Sequence, residues 1–378
     1  MKIVHLIYTH GISGAEKYLK HLLPGLRNEG IECELIVVCP KHAELMLGNY
    51  CAELEGVGVK TKLIVSSRLL TFNTAKKIAR YLKANKTNIL HSHLLNSDII
   101  AALMKIFFYR NVYIISTKHG YQEKVLLQYE PGKIIKLRNL YYKITRFTLR
   151  NINKNFAVSK GLAELYQNLK ISDELFPFIH HGITVADFNA ADYMEECRKA
   201  KWQMIIVGRI ELYKGHRFII DALPAVVKAF PGTKLLVLGE GSEKNNCIAQ
   251  IKRLDMQAHV DFLGFKDHPY QYIANSDVVI LPSLFEPFGL VYIEAFALKT
   301  PVVAFNSSAG NEIMENENTA LLVNRNDSAG LAEKIIFLLK NKDKAAEISE
   351  RAHHAYKTRF TTEIMVKNTA AWYKSLSI

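Results

Sequence analysis

At 378 residues, 49% of them hydrophobic and 22% charged, the chain is longer than one hydrophobic core usually serves, which predicts two globular domains and excludes disordered and fibrous classes. No run approaches the ~20 apolar residues that span a bilayer; the opening MKIVHLIYTHG reads as a strand and turn rather than a secretory leader, and five cysteines without a C-x-x-C pair (Cys33, Cys39, Cys51, Cys197, Cys247) imply reduced thiols in a cytoplasm. The net charge of +13 is one-sided, with 26 Lys and Arg against 13 Asp and Glu in residues 1–180 and 23 against 23 thereafter, so the first half is expected to face an anionic surface or partner; plain solubility is the competing reading.

Short runs rich in Ile, Val and Leu recur at residues 2–9, 33–39, 62–66, 88–94, 112–117 and 155–159, and again at 204–209, 234–239, 260–265, 277–283, 301–305 and 320–323. Such runs suit strands buried on both faces of a parallel sheet. Helical patterns fall between them at 15–30, 73–86, 216–230 and 328–343. The alternation predicts an α/β protein with doubly wound sheets. The series restarts near Trp202, after the polar, acid-containing stretch from Asp187 to Ala200, which sets the expected domains at 1–185 and 186–360. Ligands of open α/β sheets bind beyond the carboxyl ends of the strands, so the loops that follow strands are where chemistry is sought.

After the first strand, Thr9-His10-Gly11-Ile12-Ser13-Gly14-Ala15-Glu16 opens a helix, and Gly14 would let the backbone approach a diphosphate closely. The loop lacks a full G-x-G-x-x-G, and ordinary turn chemistry explains it equally well. Ser116-Thr117-Lys118-His119-Gly120 puts an imidazole at a strand end. There His119 can hydrogen-bond a ligand hydroxyl, or steady positive charge at a reacting carbon through its backbone carbonyl; a structural histidine is the alternative. His91 and His93, at another strand end, read as lining or as satisfied polar groups.

Gly208-Arg209-Ile210-Glu211-Leu212-Tyr213-Lys214-Gly215 also follows a strand. A departing diphosphate gathers negative charge that Arg209 and Lys214 can stabilise. Arg209 abuts a buried strand, where an unpaired cation is costly, which speaks against a mere basic turn. The most specific stretch runs from Phe285 to Ala295, a polar, glycine-bearing turn into a helix. The N–H groups of Phe288, Gly289 and Leu290 would point there from a helix N-terminus toward phosphate or sugar oxygens. Glu286, before the helix, can accept from a sugar hydroxyl, and Glu294, about two turns down, from a ribose diol. Gly239 opens the loop after a further strand. Asp-x-Asp, G-x-x-x-x-G-K-[ST], H-E-x-x-H and G-x-S-x-G are all absent, so no metal is expected and phosphate binding falls to backbone amides with Arg209 and Lys214.

With these residues in view, nearly the whole chain resembles the GT-B-fold glycosyltransferases of family 4, the bacterial group that builds lipopolysaccharides, glycolipids and related glycans. FEPFGLVYIEAFA is similar to the family's E-x7-E segment, GRIELYKG to its Arg and Lys pair, GISGAEKY to its N-terminal glycine loop and STKHG to its His-Gly strand end. The resemblance implies two Rossmann-like doubly wound domains facing across a cleft, with an acceptor-binding N-terminal domain, a donor-binding C-terminal one and a C-terminal helix (361–378) returning to the first. It implies a retaining, metal-independent hexosyl- or N-acetylhexosaminyl-transferase using a UDP- or GDP-linked sugar, with Glu286 on the donor sugar, Glu294 on the ribose, and backbone near Gly264 and Phe265 on the base. Two departures stand out: His181-Gly182-Ile183-Thr184 replaces the family's Asn-Gly-Ile/Val-Asp, and Ser308-Ala309-Gly310-Asn311-Glu312 replaces its Gly-Gly loop. A phosphorylase or nucleotide-sugar epimerase of the same architecture is the alternative.

From Lys133 to Lys154 there are seven Lys or Arg and no acid. On a helix, Leu137, Leu140, Tyr141, Ile144 and Phe147 gather on one side and Lys136, Lys143, Arg146 and Arg150 on another. Such a helix suits an anionic membrane surface, and docking at the cytoplasmic face of an inner membrane, where a lipid-linked acceptor lies, is expected. The competing reading packs the apolar side in the core and leaves the charges solvated. A nucleic-acid partner is not expected, because no basic motif is interleaved with aromatics over a reading element.

Overall fold

A computed structural model describes residues 1–66, 72–122, 125, 139–185, 194–266, 269–307 and 309–376. The first sheet takes β1 (Lys2–Tyr8), β2 (Glu32–Cys39), β3 (Lys60–Val65), β4 (Ile89–His93), β5 (Tyr113–Lys118) and β6 (Lys154–Ala157) in the order β3-β2-β1-β4-β5-β6. The second takes β7 (Trp202–Val207), β8 (Thr233–Leu238), β9 (Val260–Gly264), β10 (Val278–Leu281), β11 (Val302–Phe305) and β12 (Leu321–Val323) in the order β12-β11-β10-β7-β8-β9. Every paired register is parallel, as the unbroken apolar runs predict.

In the first sheet alternate residues feed two cores. Ile3, Ile7, Leu35 and Val37 pack against Leu19, Leu22 and Leu26 of α1 (Gly14–Asn28), Leu47 of α2 (Glu44–Gly56) and Met365, Val366 and Tyr373 of a helix far along the chain. Val4, Leu6, Ile36 and Leu90 pack on the other face against Ile78 and Leu82 of α3 (Phe72–Ala84) and Ile100 and Met104 of α4 (Leu95–Phe107). In the second sheet Met204, Ile206, Val237, Ile280 and Phe305 meet Ile219 and Leu223 of α7 (His216–Ala229) and Leu331 and Ile335 of α9 (Ser328–Lys340). Each fully buried side chain of this size contributes about 1.5–3 kcal/mol against exposure.

The chain falls into two compact units, the first being Met1–Tyr121, Glu130–Gly182 and Thr361–Ile378 and the second built mainly on Ile183–Phe360. The division comes just before the expected residue 185. Ile183 N donates to Phe360 O (3.0 Å) and Tyr356 Oη donates to Ile183 O (3.1 Å), tying Ile183 to the second unit, whereas Gly182 N points to Met365 Sδ (3.1 Å) in the first. Between these two, α10 (Lys342–Arg359) ends and α11 (Thr362–Ser375) begins.

The basic helix ends earlier than its charge pattern suggests. α5 spans Leu140–Asn151, because the Asn153 side chain accepts the β5 amide of Ile114 (2.9 Å) and Lys154 already belongs to β6, which leads into α6 (Lys160–Asn168). Lys136 and Leu137 lie outside the described residues. α5 buries Thr145 and Thr148, and of its apolar side Tyr141 and Ile144 are half-buried, Tyr141 edge-on to Tyr121 at 5.0 Å, while Leu140 (72% exposed) and Phe147 (42%) face water. Among the described residues no helix is long and apolar enough to cross a membrane.

Candidate functional site

In the second sheet the chain runs outward from β7 to β8 on one side and returns to its other side as β10, which makes the gap above β7 and β10 the topological switch point where open α/β sheets take ligands. The sequence motifs meet there. Gly208 N donates to Leu238 O (2.9 Å) and Ile210 N to Glu240 O (3.0 Å), lacing the loop after β7 to the loop opened by Gly239. Leu284 N donates to Tyr213 O (2.7 Å), bringing the same loop onto the turn after β10. Gly215 makes this approach possible: it sits at φ +73°, and a Cβ there would lie 2.0 Å from the Pro282 carbonyl oxygen.

Lys214 Nζ donates to both oxygens of Glu286, at 2.9 and 2.7 Å, across 72 residues of sequence. Burial works against the Lys214 charge, but the Glu286 carboxylate outweighs it and holds the ammonium above its ordinary pKa. With two of three N–H donors used, one remains for a ligand anion. Arg209 is exposed, so the argument from a buried, unpaired cation fails; its Nη2 donates to Tyr213 Oη (2.5 Å) with the guanidinium over that ring.

Helix α8 (Leu290–Ala297) begins only at Leu290, with Gly289 as its N-cap at φ +94°. A Cβ on Gly289 would come within 2.4 Å of the Tyr292 ring and 2.8 Å of Glu286 Cγ, so this turn requires glycine. The late start places Glu294 about one turn into the helix, roughly 6 Å along its axis, instead of two. Glu294 is 5% exposed, and burial followed by its charge pushes the Tyr270 phenol up. The Phe288 ring is buried beside Phe360 (6.1 Å between centroids), anchoring the turn, while Phe265, just past β9, is 66% exposed. Arg209, Lys214, Glu286, Gly208, Gly239, Gly289, Leu290 and Glu294 thus share one edge of one sheet.

Gly14 and His119 belong to the first unit, at the corresponding edge of the other sheet. Gly14 is an exposed first residue of α1, whose start is closed by Glu16 Oε2 accepting from Ser13 N (2.8 Å) and Ser13 Oγ (2.7 Å). His119 is part-exposed after β5, its Nε2 3.1 Å from His93 Nδ1. Burial, then the Lys118 charge, push its pKa down to about 3. His91 and His93 are fully buried and satisfied: His91 by Tyr373 Oη and Thr117 Oγ1, His93 by His119 and His5. The lining reading is therefore set aside.

Three features escape motif reading. His5 sits inside the apolar run of β1, on the face of Ile3 and Ile7, where only strand register reveals its neighbours. Lys118 and Asp98 form a buried ion pair (2.6 Å) shared with Ser116 and Ser92, locking β4, β5 and α4 together. His181 packs edge-on to Tyr18 with centroids 4.6 Å apart and stands 5.6 Å from the His119 ring. Ser308 lies outside the described residues.

A family model described as Glycosyltransferase Family 4 matches residues 12–187, and one described as Glycosyl transferases group 1 matches residues 194–355. A glycogen synthase of Mycobacterium tuberculosis is 32% identical over 197 residues, 52% of this chain and 47% of that protein, so the chain spans about half the length of that relative. An alpha-monoglucosyldiacylglycerol synthase of Acholeplasma laidlawii is 23% identical over 98% of this chain and 95% of its own. The structure of Anabaena HepE (Alr3699) in complex with UDP-glucose matches with a TM-score of 0.79 at 20% identity, covering 100% of both chains, a likeness of fold.

Proposed function

Because the chain belongs to the family 4 glycosyltransferases of GT-B fold, we propose that it transfers a hexosyl or N-acetylhexosaminyl group from a UDP- or GDP-linked sugar to a lipid-linked or saccharide acceptor, with retention of configuration and without a metal ion. The observation that carries this reading is the assembly of Lys214, Glu286 and Arg209 around the N-cap of α8 at the switch point of the second sheet. Arg209 and the third N–H of Lys214 neutralise the diphosphate as the glycosidic bond breaks, together with the first-turn amides of α8. Glu286 orients Lys214 and accepts from a sugar hydroxyl; Glu294 accepts from the ribose. Attack by the acceptor on the face the diphosphate leaves gives retention. The first unit holds the acceptor.

The relative from Acholeplasma is named for a product built on diacylglycerol, which favours a lipid-linked acceptor here. The exposed stripe of α5, Leu140, Lys143, Phe147 and Arg150 at spacings of three and four, supports docking on the anionic cytoplasmic leaflet of an inner membrane.

A thermal-shift panel of nucleotide sugars tests the donor: a true ligand at a hundred times its Kd stabilises by about 2.7 kcal/mol. Glu294→Ala abolishes that shift at the same concentration. Lys214→Ala retains nucleotide binding and lowers kcat about a hundredfold. Turnover of the donor that depends on free phosphate, or donor isomerised with no acceptor, replaces this reading with a phosphorylase or an epimerase.

A further inference from the structure

Within the first unit a cavity of about 770 Å³ lies beside β6, the edge strand of the sheet. Its lining includes Tyr113, the first residue of β5, and Lys154, the first of β6, whereas His119 follows the last residue of β5. At about 3.3 Å per residue, the run from Tyr113 to Lys118 separates the two ends of the strand by roughly 17 Å. A ligand in this cavity is therefore distinct from one at the loops that follow the strands. The volume falls in the range of small-molecule sites, about 300–1,000 Å³.

Charges of both signs line this cavity without neutralising each other. Arg146, Arg150 and Lys154 supply the cations, and Asp173 and Glu174, on the segment after α6, the carboxylates; among the described residues no ion pair joins the two sets. Arg146 is held through Nη1 alone, which donates to Tyr142 Oη (3.1 Å) and Lys170 O (3.0 Å), so Nε and Nη2 remain for a ligand oxygen. Arg150 and Lys154 are exposed and have no side-chain partner among the described residues. Asn153 adds a fixed donor: its Oδ1 accepts from Ile114 N (2.9 Å) and Lys105 Nζ (2.7 Å), which orients the amide and leaves its NH2 group unused. The acid-bearing turn is fixed too, because Ser172 Oγ accepts from Glu174 N (3.3 Å) and donates to Glu174 O (2.7 Å). Guanidinium and ammonium groups match phosphate oxygens, and carboxylates match hydroxyls. Three cations against two carboxylates leave an excess of positive charge, which favours a phosphate with neutral donors over a zwitterion. Trp372 adds apolar lining for the carbon atoms of such a ligand.

We propose that this cavity is a second ligand site of the chain and takes a polyol phosphate, whose phosphate oxygens accept from Arg146, Arg150, Lys154 and Asn153 and whose hydroxyls donate to Asp173 and Glu174. A glycerol or sugar phosphate in solution and the headgroup of phosphatidylglycerol carry the same chemistry. The site goes beyond the transferase reading and does not rest on it.

Titration calorimetry on the full chain compares sn-glycerol 3-phosphate with inorganic phosphate. Glycerol 3-phosphate is expected to bind one per chain and about tenfold tighter than inorganic phosphate, the worth of one hydrogen bond to a charged group. Arg150→Ala with Lys154→Ala weakens it at least tenfold. Asp173→Ala with Glu174→Ala brings it level with inorganic phosphate, a loss that plain attraction between charges does not produce, since removing two acids strengthens that attraction. All four positions are exposed, so both variants are expected to keep the parent melting temperature. Saturating UDP and Lys214→Ala leave the binding unchanged, which separates it from the phosphate-binding edge of the second sheet. A second arm floats the chain with vesicles of phosphatidylcholine carrying either phosphatidylglycerol or phosphatidylmethanol, equal in charge but differing in headgroup hydroxyls. Preference for phosphatidylglycerol that disappears in the Asp173→Ala, Glu174→Ala variant supports the site with a lipid as its source; tight binding of glycerol 3-phosphate supports it with a soluble one. No preference for the polyol in either arm overturns the proposal. So does a preference that survives loss of both acids, or displacement by UDP. A parent chain that turns over no nucleotide sugar defeats the transferase reading and leaves this result standing.

Discussion

Lys214 and Glu286 satisfy each other before any substrate arrives, and the turn that carries Glu286 is shaped by one residue. At Gly289 a methyl group would meet the Tyr292 ring at 2.4 Å in a backbone conformation that L side chains avoid. Gly289→Ala is expected to cost about 1–3 kcal/mol, read as a lower urea midpoint, and to weaken nucleotide binding because Glu286 shifts with the turn. The buried histidines carry a second prediction. His5 and His119 have folded pKa values pushed down to about 3, by burial and, for His119, then by Lys118, from an ordinary 6.5. A depressed folded value means the unfolded chain takes up protons first, so this stability is complete above pH 6.5 and is lost as pH falls toward 3. Each such histidine steepens the loss by about 1.4 kcal/mol per pH unit. Urea titrations between pH 7 and 5 should show it, with a shallower slope in His5→Leu. At this scale the sequence reveals glycines and charges that follow strands, since those positions are constrained locally. It does not reveal that Lys214 finds Glu286, that Arg209 turns outward, or that His5 meets His93, because those depend on which strands lie side by side.

The strands were fully readable as elements: runs such as LIVV and VVIL, apolar at every position, have no other economical home than the inside of a parallel sheet. Helix limits were less so. α5 looked long because basic residues continue into β6, and its packing face could not be inferred because two threonines are its fully buried residues while Leu140 and Phe147 are exposed. That outcome has a functional edge. If the exposed stripe enters the lipid headgroup region, Leu140→Glu with Phe147→Glu removes both apolar anchors and reverses the local charge. Flotation with vesicles containing an anionic phospholipid is expected to fall at least tenfold for this variant, with soluble-acceptor turnover unchanged. Equal, negligible flotation of parent and variant with anionic and neutral vesicles would remove the membrane from the proposal.

At the scale of the molecule, both sheets share one strand order, and each places its conspicuous residues where that order reverses. Alternating patterns and a mid-chain restart made this legible; the position of the division was set by two hydrogen bonds at Ile183 that leave no local trace in composition. The last helix supplies Met365, Val366, Ala370 and Tyr373 to the first core, each no more than 5% exposed. Ending the chain at Phe360 is therefore expected to destabilise the first unit by about 5 kcal/mol or more, seen as a separate, lower melting transition.

The return of α11 also fixes an order of events during synthesis. The helix that covers one face of the first sheet emerges from the ribosome after the whole second unit, so the earliest-made half must wait, with Ile3, Ile7 and Leu35 incompletely covered, until its neighbour has already been translated. The nascent first unit is thus a natural client for chaperones that shield apolar surface, and the second unit is the one free to finish first.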